Sequence, residues 1–253
     1  MNNKKRTARY WLSFIILAAL LVILFVWNVN AGSIHLSVGE ILNIIFRHQG
    51  DNTAYNIIWE IRLPRILAVI ILGGALSVSG FLLQTFFNNP IAGPFVLGIS
   101  SGAKLVVALL MIFFLSRSIS MGSAAMIIAA FIGSMISMGF VLLVAKKVHN
   151  MSMLVISGVM IGYICSAVTD FVVTFADDSN IVNLHNWSLG SFSGMSWANV
   201  RVMAVVVLLT MVIVFFMSKP IGAYQLGEVY AQNMGVNIKL FRVALILLSS
   251  ILS

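Results

Sequence analysis

The chain is divided into apolar runs of similar length, and this feature constrains its fold more than any other. The runs fall at 11–29, 66–87, 94–115, 121–145, 153–176 and 197–217, and a seventh begins near Leu240. About 20 consecutive apolar residues cross a bilayer as helix, the form in which a segment satisfies its own backbone polar groups. With 60% apolar and 9% charged residues, the composition excludes an ordinary soluble domain. The expected fold is all-α: a polytopic transmembrane helical bundle with six runs long enough to span and part of a seventh. No separate soluble domain is expected, so residues 1–253 are read as one transmembrane domain.

The first run follows Lys4, Lys5, Arg6 and Arg9 and ends at Val29-Asn30-Ala31, which imitates a signal-peptidase site. Its apolar core exceeds the roughly 7–15 residues of a signal peptide, so an uncleaved helix is expected. Basic residues set the orientation. With the N-terminus inside, the internal segments carry those four plus Lys146, Lys147, Lys219, Lys239 and Arg242, against Arg47, Arg62, Arg65, Arg117 and Arg201 outside. That bias favours a cytoplasmic N-terminus. The net charge of +8 therefore reflects topology, and no basic stripe interleaved with aromatics points to nucleic acid. The lone Cys165 has no disulfide partner within the chain.

Two patterns imitate enzyme sites. Gly98-Ile99-Ser100-Ser101-Gly102 spells G-x-S-x-G, but a serine nucleophile needs a base within reach. His35, His48, His149 and His185 are all expected in loops. Gly98 to Lys104 faintly resembles a phosphate loop but has the wrong glycine spacing and no hydroxyl residue after the lysine. The histidines and the single cysteine have no metal-ligand spacing. No catalytic, nucleotide or metal site is expected, and no cofactor.

Residues 88–102, NNPIAGPFVLGISSG, interrupt the apolar runs with helix-breaking residues. Asn88-Asn89-Pro90 is read as the end of one helix and Pro94 as an early residue of the next, joined by a short internal turn. Small residues after Pro94 let neighbouring helices approach closely. A second stripe, Gly158, Gly162, Ser166, Asp170 and Thr174, recurs every four residues and so keeps to one face of the fifth run. An acid in a membrane helix faces a partner or a water-filled cavity. The stripe is either a lining of a path or a packing seam, with Lys104 a candidate partner for Asp170. Between Ser218 and Arg242, Leu226, Val229, Tyr230 and Met234 fall at helical spacings, the pattern of a short amphipathic helix on a membrane surface or against a partner.

NNPIAGPFVLGISSGA resembles the signature of the FecCD family of permeases, the membrane subunits of ABC importers for iron-siderophores, haem and cobalamin. Ile61-Arg62-Leu63-Pro64-Arg65 with LAVIILGGALSVSGFLLQ, LVISGVMIGYICSAV, Trp187 to Ser191, and Leu226-Gly227-Glu228 with Ala231 and Met234-Gly235-Val236 are similar to further blocks in the same order. The resemblance covers essentially residues 10–253. It implies a type II ABC importer permease fold, with about ten helices in family members. It also implies two permease subunits, identical or paralogous, together with two cytoplasmic ATPases that bind ATP and magnesium, and an external substrate-binding protein. The expected setting is a bacterial cytoplasmic membrane. Because the chain stops within the seventh run, it is expected to be incomplete relative to the family.

By the same resemblance, Arg62 and Arg65 meet acids on the binding protein; headgroup anchoring is the alternative. The helix bearing Gly158 to Thr174 borders the translocation path. Residues 145–152 lie at the cytoplasmic gate. Residues 218–242 form the cytoplasmic coupling loop, in which Leu226, Gly227, Glu228, Ala231, Met234 and Gly235 engage the ATPase. The implied cargo is an iron-siderophore complex, with haem or cobalamin as alternatives. A reading of another class is an ion-coupled secondary transporter using Asp170 and Lys104; a membrane serine protease ranks below both.

Overall fold

The computed structural model describes residues 3–31, 37–47, 52–95, 98–115, 123–145, 147 and 151–253. The described residues are helices and connections, with no strand among them. Among the described residues, five spans are long and apolar enough to cross a membrane: Arg6–Asn30, Thr53–Phe87, Ala125–Val144, Met153–Val173 and Trp197–Phe216. They correspond to five of the six runs. The sixth, expected from Pro94, forms a helix only from Ile99, because Gly98 holds a left-handed φ of 74°. Pro94 lies in the preceding turn, not at a helix start.

The chain forms two compact units. The first comprises residues 1–70 and 192–203. It contains α1 (Asn3–Asn30), α2 (Val38–Arg47), α3 (Asn52–Asn56), a π-helix (Ile57–Arg62) and the first residues of α4 (Leu63–Phe87). The run expected to start at Ile66 therefore begins earlier. Pro64 lacks an N–H and would crowd the carbonyl four residues back in an α-helix. A wider turn precedes it, in which the Leu63 N–H donates to Ile58 O, five residues back.

The core of this unit gathers Val29, Ile41, Ile44, Ala54, Ile58, Leu63 and Ile66. Two tryptophans lock it: Trp59 Nε1 donates to Ile44 O at 3.1 Å, and Trp197 Nε1 donates to Trp59 O at 2.7 Å. The α2 helix starts with a capping box. Glu40 Oε2 accepts from both the Ser37 N–H and Ser37 Oγ, each at 2.8 Å, and the Glu40 N–H donates to Ser37 Oγ at 3.3 Å.

The second unit, residues 71–191 and 204–253, holds the rest of α4, α5 (Ile99–Leu115), α6 (Ser123–Ala145), α7 (Met151–Val173) and α8 (Asp178–Leu189). It also holds most of α9 (Trp197–Phe216), α10 (Ser218–Gln225), α11 (Glu228–Asn233) and α12 (Ile238–Leu252). Its main core includes Leu82, Leu83, Phe86, Phe87, Met138, Leu245 and Ile246. Ser79 Oγ lies 3.0 Å from Ser249 O and 2.9 Å from Ser249 Oγ, joining α4 to α12 through two fully buried serines.

The α4 helix ends as the Asn-Asn-Pro sequence predicts. Asn88 takes φ 45°, the left-handed value that caps helices, and the Asn89 N–H reaches back to Gln84 O at 3.1 Å. Asn89 Oδ1 then accepts from the Ile91 N–H at 3.0 Å and fixes the turn.

Candidate functional site

The centre of the second unit is a stack of α5 between α6 and α7, held by direct backbone contact. A methyl group placed on Gly102 would lie 2.6 Å from Gly133 O and 2.7 Å from Ser137 Cβ. One placed on Gly98 would lie 2.8 Å from both Gly162 Cα and Gly162 N, and 2.9 Å from Gly158 O. Neither position has room for a side chain. Ser137 Oγ donates to Gly98 O at 2.9 Å and ties α6 to the start of α5. Lipid offers no hydrophobic drive for helix association, so close van der Waals contact between small residues supplies it. The G-x-S-x-G spelling is thus a packing motif.

The α7 stripe divides along its length. Gly158 and Gly162 are buried against Gly98, and Ser166 Oγ lies 3.4 Å from Ser101 Oγ on α5. Ser166, Asp170 and Thr174 are exposed. Thr174 has passed the helix end and donates its hydroxyl to Asp170 O at 2.9 Å. No ion pair joins Asp170 to Lys104 among the described residues. Gly158 and Gly162 therefore form a packing seam, and the stripe is open from Ser166 on.

Lys104 is half-buried on α5, where it faces a cavity of about 790 Å³. Ser100, Ser101, Ser134, Ser166 and Ser188 share the wall, as does Ser250, whose buried hydroxyl has no partner. Trp187 and Ser188 reach the cavity from α8, a helix where a loop is expected. This corrects the placement of His185, which is helical. His35, His48 and His149 lie outside the described residues, as do residues 146, 148 and 150 of the 145–152 connection.

In the first unit the two arginines differ. Arg62 is 9% exposed, and its Nη1 donates to Val29 O at 2.5 Å, near the carboxyl end of α1. There it satisfies a carbonyl that the helix leaves unpaired. Arg65 is half-buried, and its Nη2 donates to Ser193 O at 2.7 Å. The shared role expected of the two arginines therefore fits Arg65 better, because Arg62 is turned inward.

The segment after α9 has the expected short helix, α11, bracketed by Gly227 at φ 126° and Gly235 at φ 84°. Both glycines hold values that side chains rarely adopt. Leu226 and Val229 are each 73% exposed and Met234 65%, while Ala231 is fully buried. Glu228 is half-buried and turned toward its neighbours: it accepts from Tyr224 OH at 2.8 Å and pairs with Arg242. Burial pushes the Tyr224 phenol up to about 12, with its hydrogen bonds to Arg242 and Glu228 acting in opposite directions.

Comparison with known proteins gives these features a context. The FecCD transport family matches residues 20–253. The hemin transport system permease protein of Yersinia pestis is 32% identical over 252 residues, covering 99% of this chain and 73% of that protein. The vitamin B12 import system permease protein of Klebsiella pneumoniae is 33% identical over 243 residues, covering 96% and 69%. The achromobactin transport system permease protein of Dickeya dadantii is 33% identical over 236 residues, covering 92% and 66%. Among solved structures, an inward-facing conformation of a metal-chelate type ABC transporter superposes with a TM-score of 0.77 at 25% identity, covering 94% of this chain and 72% of that one. A secondary transporter or serine protease has no place beside this match. The packed glycines, the capped Asn-Asn-Pro turn and the glycine-bracketed helix are features of a chain that belongs to the FecCD transport family, as a membrane-spanning permease subunit of an ABC importer.

Proposed function

We propose that the subunit imports ferric siderophores across a bacterial cytoplasmic membrane, its N-terminus inside, paired with a second copy or a paralogue. The observation that carries the cargo assignment is the Lys104 cavity, where a cation and several hydroxyls share one wall. An anionic chelate rich in oxygen donors finds charge and hydrogen bonds there. Haem and cobalamin, the cargoes named for two of the relatives, present larger apolar faces. The subunit carries no catalysis of its own. ATP and magnesium bind the partner ATPase, whose contact is the exposed face of Leu226, Val229 and Met234. An external binding protein delivers the cargo, with Arg65 the better placed of the two arginines to meet it.

Uptake in a strain lacking its own importers, reconstituted with the cognate partners, tests the reading. Labelled ferric catecholate and ferric hydroxamate chelates, haem and cobalamin are supplied separately. Accumulation of a ferric chelate, reduced by Lys104→Ala, is expected. Uptake of haem or cobalamin with no ferric chelate transported refutes the cargo assignment.

A further inference from the structure

The six-residue helix α11 is too short to hold its own shape, since an isolated helix needs about 12–15 residues even to be marginal in water. Its only buried residue is Ala231, so apolar packing contributes little to fixing it. What holds its first turn is polar. Glu228 Oε1 accepts from Tyr224 OH, the last turn of α10, at 2.8 Å. Arg242 of α12 pairs with the same oxygen, and its Nε donates to Tyr224 OH at 3.2 Å. The tyrosine ring is buried and lies 5.2 Å from the Phe241 ring, so the junction cannot slide without unpacking the ring. The neighbouring Gln225 Nε2 donates to Thr85 Oγ1 at 3.2 Å, which carries the connection on to α4.

We propose that Glu228 is a positioning residue, not a contact of the ATPase: through Tyr224 and Arg242 it clamps α11 to α10 and α12, so that displacement of the membrane helices moves the exposed apolar face as one piece. This rests on the assignment of that face to the ATPase. Leu226, Val229 and Met234, presented outward, give attachment, whereas the carboxylate turned toward Tyr224 and Arg242 gives transmission. The two tasks are separable, and residues that perform one should not perform the other.

The test uses the complete importer in nanodiscs, with Glu228→Gln, Arg242→Gln and the double variant. Each is expected to retain the ATPase on co-purification. Stimulation of hydrolysis by the cargo-loaded binding protein, taken relative to each complex's own unstimulated rate, should fall about tenfold, on the scale of one charge-assisted hydrogen bond lost. The double variant should be no worse than either single one, as expected for partners in one interaction. A second measurement needs no partner. In the subunit alone, amide exchange at Met234 and Val236, which donate to Tyr230 O and Ala231 O, should accelerate in Glu228→Gln. Unchanged exchange overturns the clamp whatever the ATPase does. Accelerated exchange with full stimulation overturns its role in transmission. Loss of the ATPase on Glu228→Gln makes Glu228 a contact residue and also overturns the proposal. If the wild-type subunit fails to bind the ATPase while exchange responds as expected, the assignment of the surface falls and the clamp stands.

Discussion

The α5–α6–α7 stack and the α10–α12 segment solve the same problem, holding helices in register, with opposite means. The stack removes side chains: Gly98, Gly102, Gly133, Gly158 and Gly162 let backbones touch. The segment adds them: Tyr224, Glu228 and Arg242 join three helices through their ends. The difference follows the solvent. In lipid, close contact between small residues replaces a missing hydrophobic drive. Where water is present, a short helix can instead be held by charge-assisted hydrogen bonds. The stack is thereby sensitive to volume, and the segment to charge.

The largest effect should come from adding volume to the stack. Gly102→Leu meets the backbone of Gly133, which cannot move aside as a flexible side chain would. Overpacking of cores costs typically 1–3 kcal/mol, and a backbone obstacle places this substitution at or above the upper end. We expect loss of the monodisperse subunit in detergent chromatography. Gly139 on the same helix as Gly133 faces open space, so Gly139→Ala is the control and should leave the melting temperature unchanged or slightly raised. Equal damage from both would remove the distinction between seam and open face.

Charge placed on the segment's outer face should have the next largest effect. Leu226→Asp with Met234→Asp replaces two exposed apolar side chains, each of which would contribute about 1.5–3 kcal/mol when covered by a partner. The ATPase should no longer co-purify, while the subunit's own melting temperature stays within a degree or so, because neither residue is packed within the chain. Retention of the ATPase at wild-type stoichiometry would mean that this face is not the contact.

A smaller change is expected at the polar tie within the membrane. Ser79→Ala removes the hydroxyl shared with Ser249, and interhelical hydrogen bonds in membrane proteins average roughly 0.6 kcal/mol. Thermal unfolding should shift slightly and transport should not. A loss comparable with that of Gly102→Leu would show that the second unit depends on polar ties more than on volume.

The smallest effect is a titration. Tyr224 keeps its proton beyond the ordinary phenol value because burial disfavours the phenolate. Its folded value is raised, so the stabilisation it contributes is complete below the unfolded value near 10 and is lost as pH rises from there through about 12. Phenolate absorbance in wild type minus Tyr224→Phe should show one late-titrating group. A difference centred near 10 would mean that the ring is solvated and the junction loose.

The sequence revealed the parts of the fold set by local chemistry. Apolar length located the five spans, and Asn88-Asn89-Pro90 marked the end of α4 because asparagine tolerates the left-handed cap and proline stops the helix. Gly227 and Gly235 marked the limits of α11 for a related reason. What remained hidden depends on partners far along the chain. Gly102 opposite Gly133, or Arg62 on Val29 O, cannot be read from either position alone. The α8 helix was hidden for another cause: Asp178, Ser179, Asn180, Asn183 and Asn186 are residues that favour turns when isolated, and its helicity rests on Leu184 packed with Val107, Ala108 and Met111.

The π-turn at Ile57–Arg62 has a consequence for how this helix is compared with others. A π-turn spends about one residue more than an α-turn on the same revolution, so every side chain beyond it is offset by roughly 100° from an uninterrupted count of 3.6 per turn. The phase that describes Tyr55 and Trp59 therefore does not describe Ile66, Val69 or Leu76. Deleting a single residue between 57 and 62 would restore the simple count and rotate the face bearing Arg65 away from Ser193, although the composition would change by only that one residue. Sequence length across these six positions is accordingly a structural coordinate in its own right, because one residue more or less there turns every later side chain to a different side of the helix.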